Sequence, residues 1–234
     1  ERPNILWIVS EDNSAHWIGS YGNEQAETPT LDRLAQEGVQ FEHAYSNGPV
    51  CATARSTLIT GVYAPTMGTQ HMRSRHSIPA RYKTYATYLQ EAGYYCTNNA
   101  RTDYNFAGDD GSYWDESSNT AHYKNRPEGT PFFAVFNIID SHESYIFESK
   151  QNEPKRLKPE EVQLPPYLPD LPEIRKDVAL YHDQITSMDQ RVAEMLGDLE
   201  RHGLSQDTIA FYTSDHGGAL PRGKRYLQET GSPR

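Results

Sequence analysis

The chain has 234 residues, 36% hydrophobic and 11% aromatic, with a formal net charge of −10. That is enough for one substantial core, and the charge argues against a nucleic-acid backbone as partner. No stretch approaches the roughly 20 apolar residues a membrane helix needs, and cysteines at 51 and 96 form neither a disulfide framework nor a zinc pattern.

The chain opens "ERPNILWIVS" and enters a strand almost at once, as a mature chain does after its leader has gone, or a trimmed one. The run "NILWIVS" at 4–10 suits a strand buried on both faces. "TPTLDRLAQEG" at 28–38 predicts a helix, with Thr28 as N-cap, Pro29 in the first turn and Gly38 at the end. "VQFEHAYS" at 39–46 alternates like a strand, and a helix follows over 51–61. Residues 84–93 predict another helix with a terminal glycine, and 94–99 a short strand. "PFFAVFNII" at 131–139 is the strongest buried-strand signal. Residues 143–172 hold six prolines, many charges and no clear period, which predicts a long surface excursion. Val178, Tyr181, Ile185, Met188, Val192, Met195 and Leu199 recur at helical steps and predict a helix over about 173–202. "TIAFYTS" at 208–214 is the last clear strand.

Strands alternating with helices predict an α/β fold with a largely parallel central sheet flanked by helices. Ligands of such sheets bind beyond the carboxyl ends of the strands. Glu11 and Asp12 follow the first strand, Arg101 the second, Asp140 and His142 the third, and Asp215 and His216 the last. Three converging acids would repel one another unless a cation lay between them, and oxygen-rich ligation favours calcium or magnesium over zinc. Capping of the following turns is the competing role for Asp12 and Asp215. Arg101, Arg55 and Lys224 suit an oxyanion, and His142 could protonate a leaving group. His71 lies in the glycine-containing, basic "MGTQHMRSRH", where nothing local fixes its direction. Cys51 begins the predicted helix, where the backbone favours negative charge, with Arg55 one turn on. A small buried hydrophobe, a ligand and a reactive centre all remain open for it.

"PVCATARSTLITG" at 49–61 resembles the signature of the type I sulfatases, Cys-x-Pro/Ala-x-Arg followed by Thr-Gly. "PNILWIVSED" is similar to that family's opening strand, "TPTLDRLAQEGVQFEHAYS" to the segment after it, "YTSDHGG" to its late metal-binding turn, and "KRYLQETG" to the segment that supplies a lysine. The similarity runs in family order across nearly the whole chain.

The resemblance implies an alkaline-phosphatase-like α/β fold. It makes 1–234 the N-terminal catalytic domain, with the family's C-terminal part absent after "ETGSPR". It implies a sulfuric ester hydrolase acting on a sulfated carbohydrate. Cys51 would be oxidised by a maturation enzyme to formylglycine, whose hydrated aldehyde attacks the sulfate ester. It places Glu11, Asp12, Cys51, Asp215 and His216 at a calcium ion, with magnesium as the other choice. It makes Cys51, Arg55, His142, Lys224 and Arg101 catalytic, and His71, Arg101 and Lys224 substrate-binding. It implies an exported protein, periplasmic or extracellular. Four departures stand out. Thr53 replaces the usual Pro or Ala, Glu11 the common Asp, and His216 the Asn that is also common. Arg101 in "ARTDYNF" stands in for a Lys-x-His pair. A phosphoester or phosphonate hydrolase of the same superfamily, and an inactive anion-binding relative, are the alternatives.

Overall fold

A computed structural model describes residues 2–149 and 152–225. The strands are β1 (Asn4–Ser10), β2 (Tyr95–Asn99), β3 (Glu116–Ser117), β4 (Phe132–Ile138) and β5 (Thr208–Ser214). They form one sheet in the order β3-β2-β4-β1-β5, and every pairing is parallel. The helices are α1 (Pro29–Glu37), α2 (Cys51–Thr60), α3 (Ala64–Met67), α4 (Tyr85–Glu91), α5 (Glu143–Ser149) and α6 (Pro172–Arg201).

Successive strand side chains point to opposite faces, and the core divides accordingly. Leu6, Ile8, Phe132, Ala134 and Phe136 pack with Leu31 of α1 and with Val178, Tyr181, Ile185, Met188 and Val192 of α6. Val9, Phe133 and Val135 face the other way, against Ile59 of α2 and Ala86 of α4. The sheet is thus covered on both faces, as a parallel sheet requires.

The predicted strands at 4–10 and 208–214 fall where the sequence puts them; that at 94–99 is one residue shorter at its start, and that at 131–139 one residue shorter at each end. The predicted strand at 39–46 is irregular instead. Val39 is 80% exposed and Phe41 65%, so the alternation does not mark a half-buried face. This segment lines an apolar groove of about 400 Å³ beside edge strand β5, with Leu34, Leu58 and Phe211.

Thr28 occupies the N-cap position of α1, but its side chain does not cap. Its hydroxyl accepts from the backbone N–H of Gly19 and bonds Asp32. The free N–H groups of Thr30 and Leu31 instead donate to Asp189 of α6, at 3.1 and 2.9 Å. A buried carboxylate from a distant helix therefore serves as cap, and fastens α1 to α6.

The 143–172 stretch is less of an excursion than its prolines suggest. It begins with α5, and Ile146 and Val162 are buried in the α6-side core, with Leu157, Leu164 and Leu168 packed against it.

Ile185 is fully buried between sheet and helix. Ile185→Ala should cost about 2–5 kcal/mol, read as a lower denaturation midpoint at unchanged m-value. His182 supplies a pH test. It is buried against the edge of Trp17, at 5.4 Å between ring centroids, and burial pushes its pKa down to about 4. Below pH ~6.5 the unfolded chain takes this proton and the native chain does not. Stability is therefore undiminished above that pH and falls as pH drops towards 4, with a loss of about 2–3 kcal/mol by pH 4.5. His182→Gln should reduce the difference between guanidinium titrations at pH 7 and 4.5 by that amount.

Candidate active site

Parallel pairing brings the carboxyl ends of β1, β2, β4 and β5 to one rim. The ladder continues just past it, with Glu11 N donating to Ile138 O and Asp215 N to Ser10 O, both at 3.0 Å. Glu11, Asp12, Asp215 and His216 emerge there and are all essentially fully buried. Asp12 takes a left-handed backbone, φ +51°. Its carbonyl accepts from the Tyr181 hydroxyl of α6, the Glu11 carbonyl accepts from Ser141, and Asp12 N donates to Asp215 Oδ1 at 3.2 Å. Tertiary hydrogen bonds thus hold both acids at a turn that local preference disfavours.

Cys51 is the first residue of α2, and no side chain caps that terminus. Two contacts seat it. His216 Nε2 lies 3.3 Å from Cys51 Sγ. Arg225 N donates to Pro49 O at 2.6 Å, tying the chain's late turn to the residues before Cys51. Lys224, in that turn, reaches Asp12 Oδ2 at 2.9 Å, Glu143 Oε1 at 3.1 Å and His142 Nε2 at 3.3 Å. Arg101 pairs with Glu11 and with Asp103.

The charges explain one another. Burial opposes ionisation of Asp12, but the positive charge of His216, and the charge and hydrogen bond of Lys224, outweigh it and hold its pKa far below the carboxylate range. Burial and the neighbouring Asp215 raise that of Glu11, with Arg101 and Arg55 pulling the other way. Burial disfavours the charged form of His216, yet Asp215 and Asp12 lift its pKa well above the usual value. For Cys51, burial is outweighed by the neighbouring His142 and His216 rings, and its thiol falls to about 7. His142 is raised, first by its neighbour Cys51.

The acids remain undersupplied. Glu11 Oε1 and Asp215 Oδ2 are buried without a hydrogen-bond partner among the described residues, and Asp12 Oδ1 meets His216 Nε2 at 3.1 Å without hydrogen-bond alignment. Each unmade bond of a buried carboxylate costs about 1–3 kcal/mol or more. Three oxygens and one imidazole fit a hard divalent cation. Asp12, Cys51 and His216 offer ligand atoms within 4.8 Å of one another, as do Glu11, Cys51 and His142.

Most residues singled out from the sequence meet at this rim. Arg55 does so indirectly. It is buried, and donates from Nε to Thr102 O, and from Nη2 to Arg101 O and Asn137 Oδ1, at 2.8, 2.8 and 2.6 Å. It grips the loop that carries Arg101. His71 stands apart: it is exposed, and its carbonyl accepts from Asn105 Nδ2 at 2.8 Å. Of "KRYLQETG", only Lys224 and Arg225 fall within the described residues. Sequence reading missed Glu143, which bonds Lys224 and takes both guanidinium nitrogens of Arg225. It also missed Asn137, which joins Arg55 to Asn98 Oδ1 and Asn99 O. Glu143 sits next to His142 and could have been found by position. Asn137 is a half-buried amide inside an apolar run, itself a signal, because an amide drawn out of water needs partners.

The family model for sulfatases matches residues 3–128 and 95–233. An ulvan-active sulfatase of Formosa agariphila is 37% identical over 277 residues, covering 99% of this chain and 46% of the relative. A 2-O GAG sulfatase structure superimposes with TM-score 0.74 at 19% identity, over 93% of this chain and 58% of that one. The phosphonate monoester hydrolase of Agrobacterium radiobacter superimposes with TM-score 0.72 at 16% identity, over 99% and 66%. The chain thus spans about half the length of this curated relative, and its fold is the alkaline-phosphatase-like one of these enzymes. With the family model covering nearly every residue and the Cys51 signature seated at the acidic rim, the chain belongs to the sulfatase family.

Proposed function

We propose that this chain is the catalytic portion of a sulfatase that hydrolyses sulfate esters of a sulfated polysaccharide. One observation carries the reading: three buried carboxylates, each with an oxygen unpartnered among the described residues, lie around a cysteine at the N-terminus of a helix. Such an arrangement makes sense for a cation and a reacting anion, not for a structural thiol. The name of the Formosa agariphila relative supports ulvan as the substrate class. A polymer of that kind is met outside the cell, so the reading includes an exported, periplasmic or extracellular, protein. It also includes a formylglycine-generating enzyme as maturation partner.

Glu11, Asp12, Asp215 and His216 would hold the divalent ion, calcium or magnesium, with Cys51 beside it. When bound, the ion draws charge from sulfate oxygens and acidifies a neighbouring hydroxyl. Formylglycine made from Cys51 supplies that hydroxyl and, with a second one, the route by which sulfate is released. The chain's other residues position and transfer protons. Lys224 and Arg101 present fixed charge to the sulfate. Arg55 keeps Arg101 in place by holding the carbonyls of residues 101 and 102. His142 is half-buried, with Ser144 Oγ 2.9 Å from its Nδ1 and Lys224 Nζ 3.3 Å from its Nε2, so Nε2 protonates the departing sugar oxygen once Lys224 turns to the sulfate. His71 lies on the substrate side of the same reading, outside this inner cluster.

The visible ligands suffice for one ion. A phosphate monoester carries nearly one more negative charge than a sulfate monoester near neutral pH, so this cluster favours sulfate.

Intact-mass analysis of the full-length protein from its native host should find Cys51 converted, with the mass lowered by about 18 Da. An unmodified thiol there points to the inactive relative. Cys51→Ala and Asp215→Asn should each lower kcat/KM on sulfated oligosaccharides by on the order of 10³-fold or more. Turnover of phosphonate monoesters without turnover of any sulfate ester would move the protein to the other superfamily reaction. His142→Ala should cost about 10²–10⁴-fold on sugar sulfates. It should cost far less on p-nitrophenyl sulfate, whose leaving group needs no proton. Equal losses on both substrates remove His142 from the acid role.

A further inference from the structure

Residues 43–90 contain Arg55, Arg73, Arg75, Arg81 and Lys83 but not one carboxylate, in a chain whose net charge is −10. Arg55 is spent inside the fold. Arg73 and Arg75 are exposed, with His71 and His76 beside them, on the turn that follows α3. That turn is built rather than loose. Ser74 N donates to His71 O at 3.0 Å, and His76 N to Ser74 Oγ at 3.3 Å. Ala107 N donates to His76 O at 3.0 Å, and Asn105 Nδ2 to both Thr69 O and His71 O.

The turn is also bolted to the reactive helix. Thr53 Oγ1 donates to Gln70 O at 3.3 Å, and Ser56 Oγ lies 2.7 Å from Thr69 Oγ1. On its outer side, Asp103 takes Arg73 on one oxygen and Arg101 on the other. Positive charge therefore runs from Arg101, at the rim, through a shared carboxylate to Arg73 and out to the surface. Arg75 makes no ion pair among the described residues.

We infer that the 71–76 turn is a second anion subsite. It would hold a carboxylate or sulfate on a sugar neighbouring the one that loses its sulfate, which makes the preferred substrate a polyanionic chain. Fixed guanidinium groups suit such anions, because their planar fork bonds two oxygens at once. A pre-ordered turn loses little entropy on binding. An isolated sulfate ester would fill the inner cluster and leave Arg75 unused. This inference rests on the sulfatase reading above for what the neighbouring sugar is attached to, but it can fail separately.

The test uses full-length protein carrying Cys51→Ala, so that binding is read without turnover, with ulvan as probe and Lys158→Glu, on an exposed turn packed against α6, as a charge-matched control. Arg75→Glu should weaken ulvan binding about five- to tenfold at low salt, and less at high salt. Arg75→Lys should recover most of the loss, and Lys158→Glu should change binding less than twofold. In the otherwise unaltered full-length enzyme, Arg75→Glu should raise KM for sulfated oligosaccharides by a similar factor, with kcat and p-nitrophenyl sulfate turnover unchanged. Unaltered ulvan binding by Arg75→Glu, or an equal loss from Lys158→Glu, overturns the subsite. A wild-type enzyme that turns over no sulfate ester overturns the sulfatase reading instead, and leaves the binding result to judge the turn on its own.

Discussion

Three buried carboxylates at one sheet rim are the constraint around which this molecule is arranged. Glu11, Asp12 and Asp215 are almost wholly withdrawn from water, and like charges so placed cannot all ionise without compensation. Asp12 is answered by Lys224 and by the His216 ring, and Glu11 by Arg101. Those contacts come from two regions of the chain far from the acids in sequence, so compensating the acids is also what closes the 216–224 segment and the 101–103 loop onto the end of β1. Oxygens still lack partners after that, and a cation is the natural completion. Removing the acids would leave Lys224 buried without its principal partner, so neither side of the arrangement is stable alone.

The parallel sheet is what makes the convergence cheap to encode. β1 is flanked by β4 and β5 in register, Ser10 opposite both Ile138 and Ser214. Each strand can then be an ordinary apolar run, and only the one or two residues past its end need be functional. Rigid strands fix where those residues emerge. Outside the sheet, Tyr181 and Ser141 hold the backbone carbonyls of Asp12 and Glu11, and within β4 Asn137 accepts from Arg55.

This division explains what could be read from the amino-acid order. Buried strands and the α6 stripe announce themselves, because burial on one or two faces imposes a period on the residues. The strand-end acids and the Cys51 segment were legible for the same reason: they follow elements that are legible. Residues 39–46 misled because alternation marks a strand only where a partner strand or a core lies beside it, and Phe41 faces solvent. Asp189 as the cap of α1, and Arg55 as a grip on a loop, were not readable. Each depends on a backbone group more than 45 residues away that meets it only once the sheet has formed. Arg55 suited an anion by its chemistry; the carbonyls of Arg101 and Thr102 claimed its donors first.

Helix α2 is where the inner and outer parts of the site become one object. Its first residue is Cys51 of the sulfatase signature, its third is tied to the carbonyl of Gln70, and its fifth holds the 101–102 backbone. Thr53, which departs from the usual Pro or Ala, is thereby accounted for: proline or alanine could not make its bond to Gln70 O. The same side chain sets a limit on the turn before the helix. A Cβ at Gly48 would lie 3.0 Å from Thr53 Cγ2, tighter than ordinary contact, so a threonine at the third position is compatible with this turn because residue 48 is glycine. A loop that follows α2 and presents arginines to solvent gains from such a tie, since an exposed cation binds selectively only if the backbone beneath it does not move. Thr53 thus ties the helix that begins at Cys51 to the turn proposed as an anion subsite.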